Sequence, residues 1–117
     1  MRCGAPSTDR FDYPVASDEL AEVVLSGKAE FGVLVCGSGI GVSIRANRYS
    51  GIRAALCTSV EMAELSRAHN YANVLCLGAR ITPESLAIEI VDAFLRGPED
   101  RSERHAHRVE LLDADLC

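Results

Sequence analysis

The sequence lacks the features that mark membrane, secreted and nucleic-acid-binding proteins. No apolar run reaches the roughly 20 residues that a membrane-spanning helix needs. The segment from Met1 to Tyr13 is too polar for a signal peptide. The net charge is −5, so the chain has no general basic surface for nucleic acid. We therefore expect a folded cytoplasmic domain that binds neither a membrane nor a nucleic acid.

The cysteines lack the spacing of disulfide frameworks and of zinc sites. There are five, an odd number, and no two of them form a C-x-x-C pair. Without a signal peptide, this pattern favours reduced thiols. The three histidines and the scattered cysteines do not have zinc-ligand spacing, so no metal site is predicted. Cys57 and Cys76 lie inside apolar runs and are predicted to be core residues.

What the sequence does contain is a regular alternation of helix and strand patterns. Short apolar runs predict buried strands at residues 31–36, 52–57 and 73–77. Apolar periodicity and capping signals predict helices at residues 12–25, 41–48, 59–68, 82–95 and 100–113. Strands that alternate with helices imply parallel βαβ units with right-handed crossovers. Residues 1–117 are therefore predicted to form one α/β domain around a three-stranded parallel sheet.

The segment FGVLVCGSGIGVSIRAN, residues 31–47, joins a buried strand to a helix through a glycine-rich turn. Its glycines permit a ligand to approach the backbone closely. A helix that begins near Gly41 would direct free N–H groups at the mouth of the turn, where an anion can bind. Cys36 lies at the carboxyl end of the strand, where open α/β sheets place ligands. The sequence thus predicts that the Cys36 thiol, the Ser38 hydroxyl and several amides converge.

Two nucleotide-binding motifs resemble this turn without matching it. The dinucleotide fingerprint needs its third glycine or alanine at Val42, one position after Gly41. The P-loop needs a Lys-Ser or Lys-Thr pair, which does not follow these glycines. A nucleotide-binding module and a tight turn without any chemistry both remain as alternatives.

Three side chains are candidates for acid–base or nucleophilic chemistry. A thiolate at Cys36 can act as nucleophile or base, although a buried structural cysteine fits the same position. Ser38 can donate to a substrate or merely support the turn. His69 ends a predicted helix, where histidine also serves as a cap that complements the helix dipole.

Arginines provide candidate phosphate ligands. Arg80 follows a glycine at a predicted strand end, so it should reach the carboxyl edge of the sheet. Arg104 and Arg108 are four residues apart and share one helical face. Guanidinium groups bind phosphate through paired hydrogen bonds. The alternative is a solvated charged face on which Glu103 and Glu110 are the partners.

Four segments carry a resemblance to a known family. CGSGIGVSIRAN, GIRAALC, LSRAHN-YANVLCLGAR and RHAHR resemble the ribose-5-phosphate isomerase B family and its galactose-6-phosphate isomerase relatives, in one register from about Gly4 to Leu112. The resemblance implies a Rossmann-like parallel sheet and a cofactor-free aldose–ketose isomerase. It also implies a homodimer or tetramer with active sites at the subunit interface. The expected reaction converts ribose 5-phosphate to ribulose 5-phosphate in the pentose phosphate pathway, and a hexose 6-phosphate of the galactose or allose type is the nearest alternative substrate.

The resemblance also assigns roles to individual residues. Cys36 matches the catalytic base that moves a proton between C2 and C1, and Ser38 and His69 match the pair that opens the furanose ring. Some family members have a glutamate base at the position of Val42, which leaves Cys36 as the candidate base here. The implied substrate-binding positions are Tyr13, Gly37, Gly39, Ile40, Gly41, Val42, Asn70, Arg80, Arg104 and Arg108. Among these, the loop amides hold the enediolate oxygens, Asn70 holds sugar hydroxyls and the arginines hold the phosphate.

The amino end departs from the family pattern. Family members begin with a strand that leads into an Asp-His pair, followed by a helix and a second strand. The present sequence starts after these elements, so the five strands of the family become three. The strand at residues 31–36 should then have an uncovered edge. This departure keeps a catalytically inactive phosphosugar-binding fragment as an alternative to the enzyme.

Overall fold

The computed structural model describes residues 3–4 and 12–116, in which helices and strands alternate along the chain. The elements are α1 Tyr13–Leu25, β1 Gly32–Cys36, α2 Ile40–Ala46, β2 Ala54–Leu56, α3 Val60–Asn70, β3 Val74–Gly78, α4 Glu84–Arg96 and α5 Glu103–Asp113. Each predicted element is present, with ends within about three residues of those expected. The largest difference is in β2, which pairs over three residues instead of six. The predicted α/β class is confirmed.

The three strands form a parallel sheet in the order β1-β3-β2. All five residues of the central strand β3 are buried, which explains its continuous apolar sequence VLCLG. Within the described residues, β1 lies at one edge of the sheet, and Val35 on this strand is 56% exposed. This is the uncovered edge that the sequence predicted.

Hydrophobic layers cover both faces of the sheet, because side chains alternate along β3. Val74 and Cys76 face α1 and α2, where Leu34 and Val42 complete one core cluster. On the other face, a second cluster packs between the sheet and helices α3 and α4. Its buried members are Cys57, Ala63, Ala72, Leu75, Leu77, Ile90 and Phe94. The predicted core positions of Cys57 and Cys76 are confirmed.

Local signals in the sequence explain several element ends. The Ser59 hydroxyl accepts a hydrogen bond from the backbone N–H of Met62 at 3.1 Å, so the predicted cap begins α3. The Asn47 side chain bonds both the N–H and the C=O of Ala54, at 2.8 and 2.9 Å, and so fixes the start of short β2. Among the described helices, none has the length and apolar character needed to cross a bilayer.

Candidate active site

The exits of β1 and β3 lie side by side at the carboxyl edge of the sheet. The N–H of Ala79 donates to the carbonyl of Cys36 at 2.8 Å, and the N–H of Arg80 donates to the carbonyl of Gly37 at 3.0 Å. These bonds bring Arg80 against the glycine loop, where a Cβ at Gly37 would lie 3.5 Å from Arg80 Cδ. The structure therefore places Arg80 beside Gly37 at the carboxyl edge of the sheet, the edge that the sequence predicted for it.

The sulfur of Cys36 lies inside the curve of the glycine loop. Its Sγ accepts a hydrogen bond from the backbone N–H of Gly39 at 3.1 Å. The residue is half-buried and, with Tyr13, borders a cleft of about 700 Å³ between α1 and β1. The sulfur thus has both a fixed position and an opening towards solvent.

The two core thiols differ from Cys36 in their surroundings. Burial raises the pKa of the Cys57 thiol, and burial raises the pKa of Cys76 to about 12. Both thiols therefore stay protonated near neutral pH. This leaves them as packing groups within the core.

Gly39 controls the shape of the loop. Its φ of +80° lies in the left-handed region that favours glycine. A Cβ at this position would lie 2.5 Å from Leu56 Cδ1 and 2.9 Å from the carbonyl carbon of Leu77. A glycine is therefore required both by the backbone angle and by the close approach of β2 and β3.

More of the loop N–H groups form hydrogen bonds within the protein than the sequence suggested. Gly39 N–H is directed at Cys36 Sγ, and Ile40 N–H donates to Ser38 Oγ at 3.2 Å. Ser38 therefore supports the turn in this structure, in agreement with the structural interpretation of its role. Val42 is buried in the core, so only its backbone is available to a ligand.

Tyr13 reaches the loop because Gly41 has no side chain. A Cβ at Gly41 would lie 2.5 Å from the Tyr13 ring and 2.6 Å from its hydroxyl oxygen. The first residue of α1 is thereby packed on the first turn of α2. The structure brings Tyr13 together with the loop residues, which the sequence alone assigned only by resemblance.

The remaining predicted residues gather at the opposite edge of the sheet. His69 and Asn70 end α3, directly before the amino end of β3. The segment before α5 is bound there, because Asp100 N–H donates to the Ala68 carbonyl at 2.9 Å and the Tyr71 hydroxyl donates to the Asp100 carbonyl at 2.6 Å. These bonds place α5, with its arginines, beside the end of α3.

A histidine that the sequence did not single out links this second group. The rings of His69 and His105 stack with centroids 4.1 Å apart and planes within 7°. Arg104 Nη2 lies 3.3 Å from His105 Nε2. Burial lowers the pKa of His105, and the nearby His69 lowers it further. The sequence signal was present in RHAHR, but only the fold shows which of its histidines is buried.

Arg104 and Arg108 both remain exposed on α5. Within the described part of the chain, neither forms an ion pair with Glu103 or Glu110. The alternative of a mutually paired charged face is therefore not what the structure shows. Two guanidinium groups remain available on one helical face for an anionic ligand.

The geometry of the second group does not suit a metal ion. Potential ligand atoms of His69, Asp100 and His105 lie within 4.8 Å of one another. However, an ion must lie near the plane of each imidazole that binds it, and two parallel planes about 4 Å apart share no such point. The Arg104 guanidinium also occupies the position next to His105 Nε2. The arrangement is that of a stacked pair.

The predicted site residues thus form two groups on opposite edges of the sheet. The carboxyl-edge group contains Tyr13, Cys36, Ser38, the loop to Val42, and Arg80. The amino-edge group contains His69, Asn70, Arg104, His105 and Arg108. Five-residue β3 separates them, and at about 3.3 Å per residue the distance is on the order of 15 Å. One chain therefore does not bring Cys36 and His69 into contact.

Comparisons with known proteins agree with the arrangement of the fold. A model of the family described as "Ribose/Galactose Isomerase" matches residues 1–112. Ribose-5-phosphate isomerase B of Escherichia coli is 44% identical over 111 residues, which cover 95% of this chain and 74% of that protein. Galactose-6-phosphate isomerase subunit LacB of Clostridium acetobutylicum is 38% identical over 104 residues, which cover 89% of this chain and 60% of that protein. The solved type B ribose 5-phosphate isomerase of Trypanosoma cruzi superposes with a TM-score of 0.93 at 45% identity, covering 95% of this chain and 74% of that one. The expected Rossmann-like architecture is therefore confirmed.

Proposed function

The chain belongs to the ribose/galactose isomerase family, and we propose that it acts as a single isomerase domain that interconverts ribose 5-phosphate and ribulose 5-phosphate. Isomerisation of a sugar phosphate is the activity that its relatives' names support. The pentose substrate, a cytoplasmic location and a place in the pentose phosphate pathway belong to the proposal. The observation that carries it is the Cys36 sulfur, fixed by Gly39 N–H and open to a cleft.

Cys36 is proposed as the base that moves a proton between C2 and C1 of the open-chain sugar. The thiolate takes the C2 proton, C1 and C2 become doubly bonded, and the C1 carbonyl oxygen becomes an anion. The O2 proton then passes to O1, C2 becomes the ketose carbonyl, and the sulfur returns its proton to C1. No atom is gained or lost, so the step needs no cofactor. Among the backbone N–H groups from Gly37 to Val42, those that are not bonded to Cys36 Sγ or Ser38 Oγ are proposed to stabilise the enediolate oxygens.

The amino-edge group is proposed to act on the other end of the substrate. Arg104 and Arg108 bind the phosphate, with Arg80 contributing from the carboxyl edge. Asn70 binds sugar hydroxyls, and His69 acts with Ser38 in opening the furanose ring. These roles require both groups to contact one substrate molecule.

A second copy of the chain is proposed to complete each site, because the two groups of one chain are separated by the length of β3. A dimer with a two-fold axis brings the carboxyl edge of one protomer to the amino edge of its partner, twice. Exposed apolar side chains lie beside the glycine loop: Ile40 is 52% and Ile44 is 62% exposed. Covering such a surface favours association.

Subunit complementation tests this assembly. Cys36→Ala inactivates the carboxyl-edge group, and His69→Asn inactivates the amino-edge group. The homodimer of either variant alone should therefore be inactive. Co-expressed chains assort into dimers of which half are mixed, and each mixed dimer has one intact site. The mixture should regain about a quarter of wild-type activity, measured as ribulose 5-phosphate formation.

The matched control mixes Cys36→Ala with Cys36→Ser, which alters the same group in both chains and should restore nothing. If the Cys36→Ala and His69→Asn mixture also restores nothing, although mixed dimers are detected by mass, the two groups do not meet across an interface.

Removing one phosphate ligand should weaken substrate binding. Hydrogen bonds to charged groups contribute about 1.5–3 kcal/mol, which corresponds to a roughly 10- to 150-fold change in binding. Arg104→Ala is therefore expected to raise KM for ribose 5-phosphate within this range. Steady-state kinetics and competition by inorganic phosphate measure the effect.

Arg96→Ala is the control for the loss of one arginine. Arg96 is exposed on α4, where it pairs with Asp92 at 2.6 Å, and lies outside both groups. Its KM should match that of the wild type. An unchanged KM in Arg104→Ala would remove this arginine from the phosphate site.

A hexose 6-phosphate is the second candidate substrate. The similarity to a galactose-6-phosphate isomerase subunit favours it. Parallel assays of ribose 5-phosphate and galactose 6-phosphate separate the two possibilities by their kcat/KM values. Stabilisation against heat by ribose 5-phosphate without turnover of either sugar would instead indicate a binding fragment.

A further inference from the structure

The stacked pair of His69 and His105 connects the residue proposed for ring opening to α5. The parallel rings, 4.1 Å apart, cover one face of the His69 imidazole. His69 ends α3, and its exposed neighbour Asn70 makes no hydrogen bond to it in the described structure. The flat contact with His105 therefore restricts the plane of the His69 ring, and Asp100 lies close to both rings.

His105 is itself held on several sides. It is 5% exposed, and its Nε2 lies 3.3 Å from Arg104 Nη2 and 3.5 Å from Asp100 Oδ2. Asp100 is anchored in turn, since its carboxylate accepts from Ser102 N–H at 3.0 Å and its own N–H donates to Ala68. The surroundings of His105 thus leave its ring little freedom to rotate.

The contact with Arg104 defines the protonation of His105. A guanidinium only donates hydrogen bonds, so the contact with Arg104 assigns the acceptor role to Nε2 and the proton of the neutral ring to Nδ1. Asp100 Oδ2, 3.5 Å from the same nitrogen, lies beyond normal hydrogen-bond length. The lowered pKa of His105 agrees with a neutral ring. The same side chain therefore contacts His69 through its face and Arg104 through its edge.

We propose that His105 is a positioning residue, which fixes the orientation of the His69 ring and the direction of the Arg104 guanidinium relative to each other. The inference rests on the proposed function, in which His69 assists ring opening and Arg104 binds phosphate. The stack sets which ring nitrogen of His69 faces the sugar, and the Nε2 contact sets the distance from that nitrogen to the phosphate.

Ring opening has a proton balance that depends on this orientation. The C1–O4 bond breaks, C1=O1 forms, the O1 hydroxyl loses its proton to a base and O4 gains a proton. Ribulose 5-phosphate does not form the corresponding ring, because its O5 carries the phosphate. The proton transfer proposed for Cys36 can therefore be measured from ribulose 5-phosphate without a preceding ring-opening step.

The test starts from ribulose 5-phosphate in D2O. It compares the rate of deuterium incorporation at C1 of the remaining ketose with the rate of ribose 5-phosphate formation. His105→Leu removes both the stack and the acceptor. When ring closure is impaired, the bound open-chain aldose returns to ketose more often. The rate of deuterium exchange divided by the rate of ribose 5-phosphate formation should therefore rise on the order of 10- to 100-fold.

Two further variants separate the contacts of His105. His105→Phe keeps an aromatic ring against His69 but removes the acceptor for Arg104. Its exchange ratio should be near the wild-type value, whereas its KM for ribulose 5-phosphate should be higher than that of the wild type, because Arg104 has lost its contact with residue 105. His107→Leu removes an exposed histidine from the same helix and should change neither quantity.

The possible outcomes are distinct. A His105→Leu variant whose exchange and conversion fall in proportion, or do not change, would overturn the positioning role. If His105→Leu does not fold, His105→Phe provides the test. An exchange ratio in His105→Phe as high as that of His69→Asn would contradict the proposal. If the wild-type protein shows neither exchange nor conversion, the proposed function fails instead.

Discussion

Cys36→Ser is expected to lower kcat/KM for ribose 5-phosphate by roughly 10²- to 10⁴-fold, the range that a positioned general base contributes. A serine hydroxyl occupies nearly the same position but ionises far less readily than a thiol, so little base is present near neutral pH. The fold should be unaffected, because the residue is half-buried and the shorter hydroxyl still lies near Gly39 N–H. The assay follows ribulose 5-phosphate, and thermal unfolding checks the fold.

Cys3→Ser is the matched control for this substitution. Cys3 is also half-buried and borders the same cleft, but it lies outside the glycine loop. Its activity should equal that of the wild type. A Cys36→Ser enzyme that loses less than about tenfold would place the base on another residue.

Gly39→Ala is expected to produce the largest loss of stability among the loop substitutions. The left-handed backbone costs a non-glycine residue about 1–2 kcal/mol. The added Cβ would also meet Leu56 Cδ1 at 2.5 Å and the Leu77 carbonyl carbon at 2.9 Å, and overpacking of this kind costs about 1–3 kcal/mol more. The free energy of unfolding, measured in urea, should fall by the sum of these two effects.

Gly27→Ala separates the two contributions. Gly27 has a φ of +81°, nearly that of Gly39, but a Cβ there would have no atom within 4 Å. Its loss of stability should therefore be close to the backbone cost of about 1–2 kcal/mol alone. Equal losses in the two variants would mean that the contacts of Gly39 with β2 and β3 relax without cost.

The glycine loop and the helix cap at Ser59 were predictable because their causes are local. The run at β1, the glycines after Cys36 and the cap at Ser59 each act over a few residues of sequence. The apolar pattern likewise located the core, including Cys76. The length of β2 was overestimated, since Ile52 and Cys57 have the apolar character of strand residues but do not belong to the three-residue ladder.

The parts that the sequence did not reveal depend on distant contacts. His105 is 36 positions after His69, and only the docking of the Asp100 segment on Tyr71 brings the two rings together. The hydrogen bond from Gly39 to the Cys36 sulfur likewise depends on the exact path of the turn. The division of the site residues into two groups follows from the direction of α3, which runs back to the amino end of β3.

The separation of Cys36 from His69 by the length of a strand has a consequence for how the rate depends on protein concentration. If each working site needs two chains, the population of such sites at high dilution grows with the square of the chain concentration. The rate per milligram of protein would then fall as the sample is diluted and recover when it is concentrated. The midpoint of that curve would report the dissociation constant of the pair.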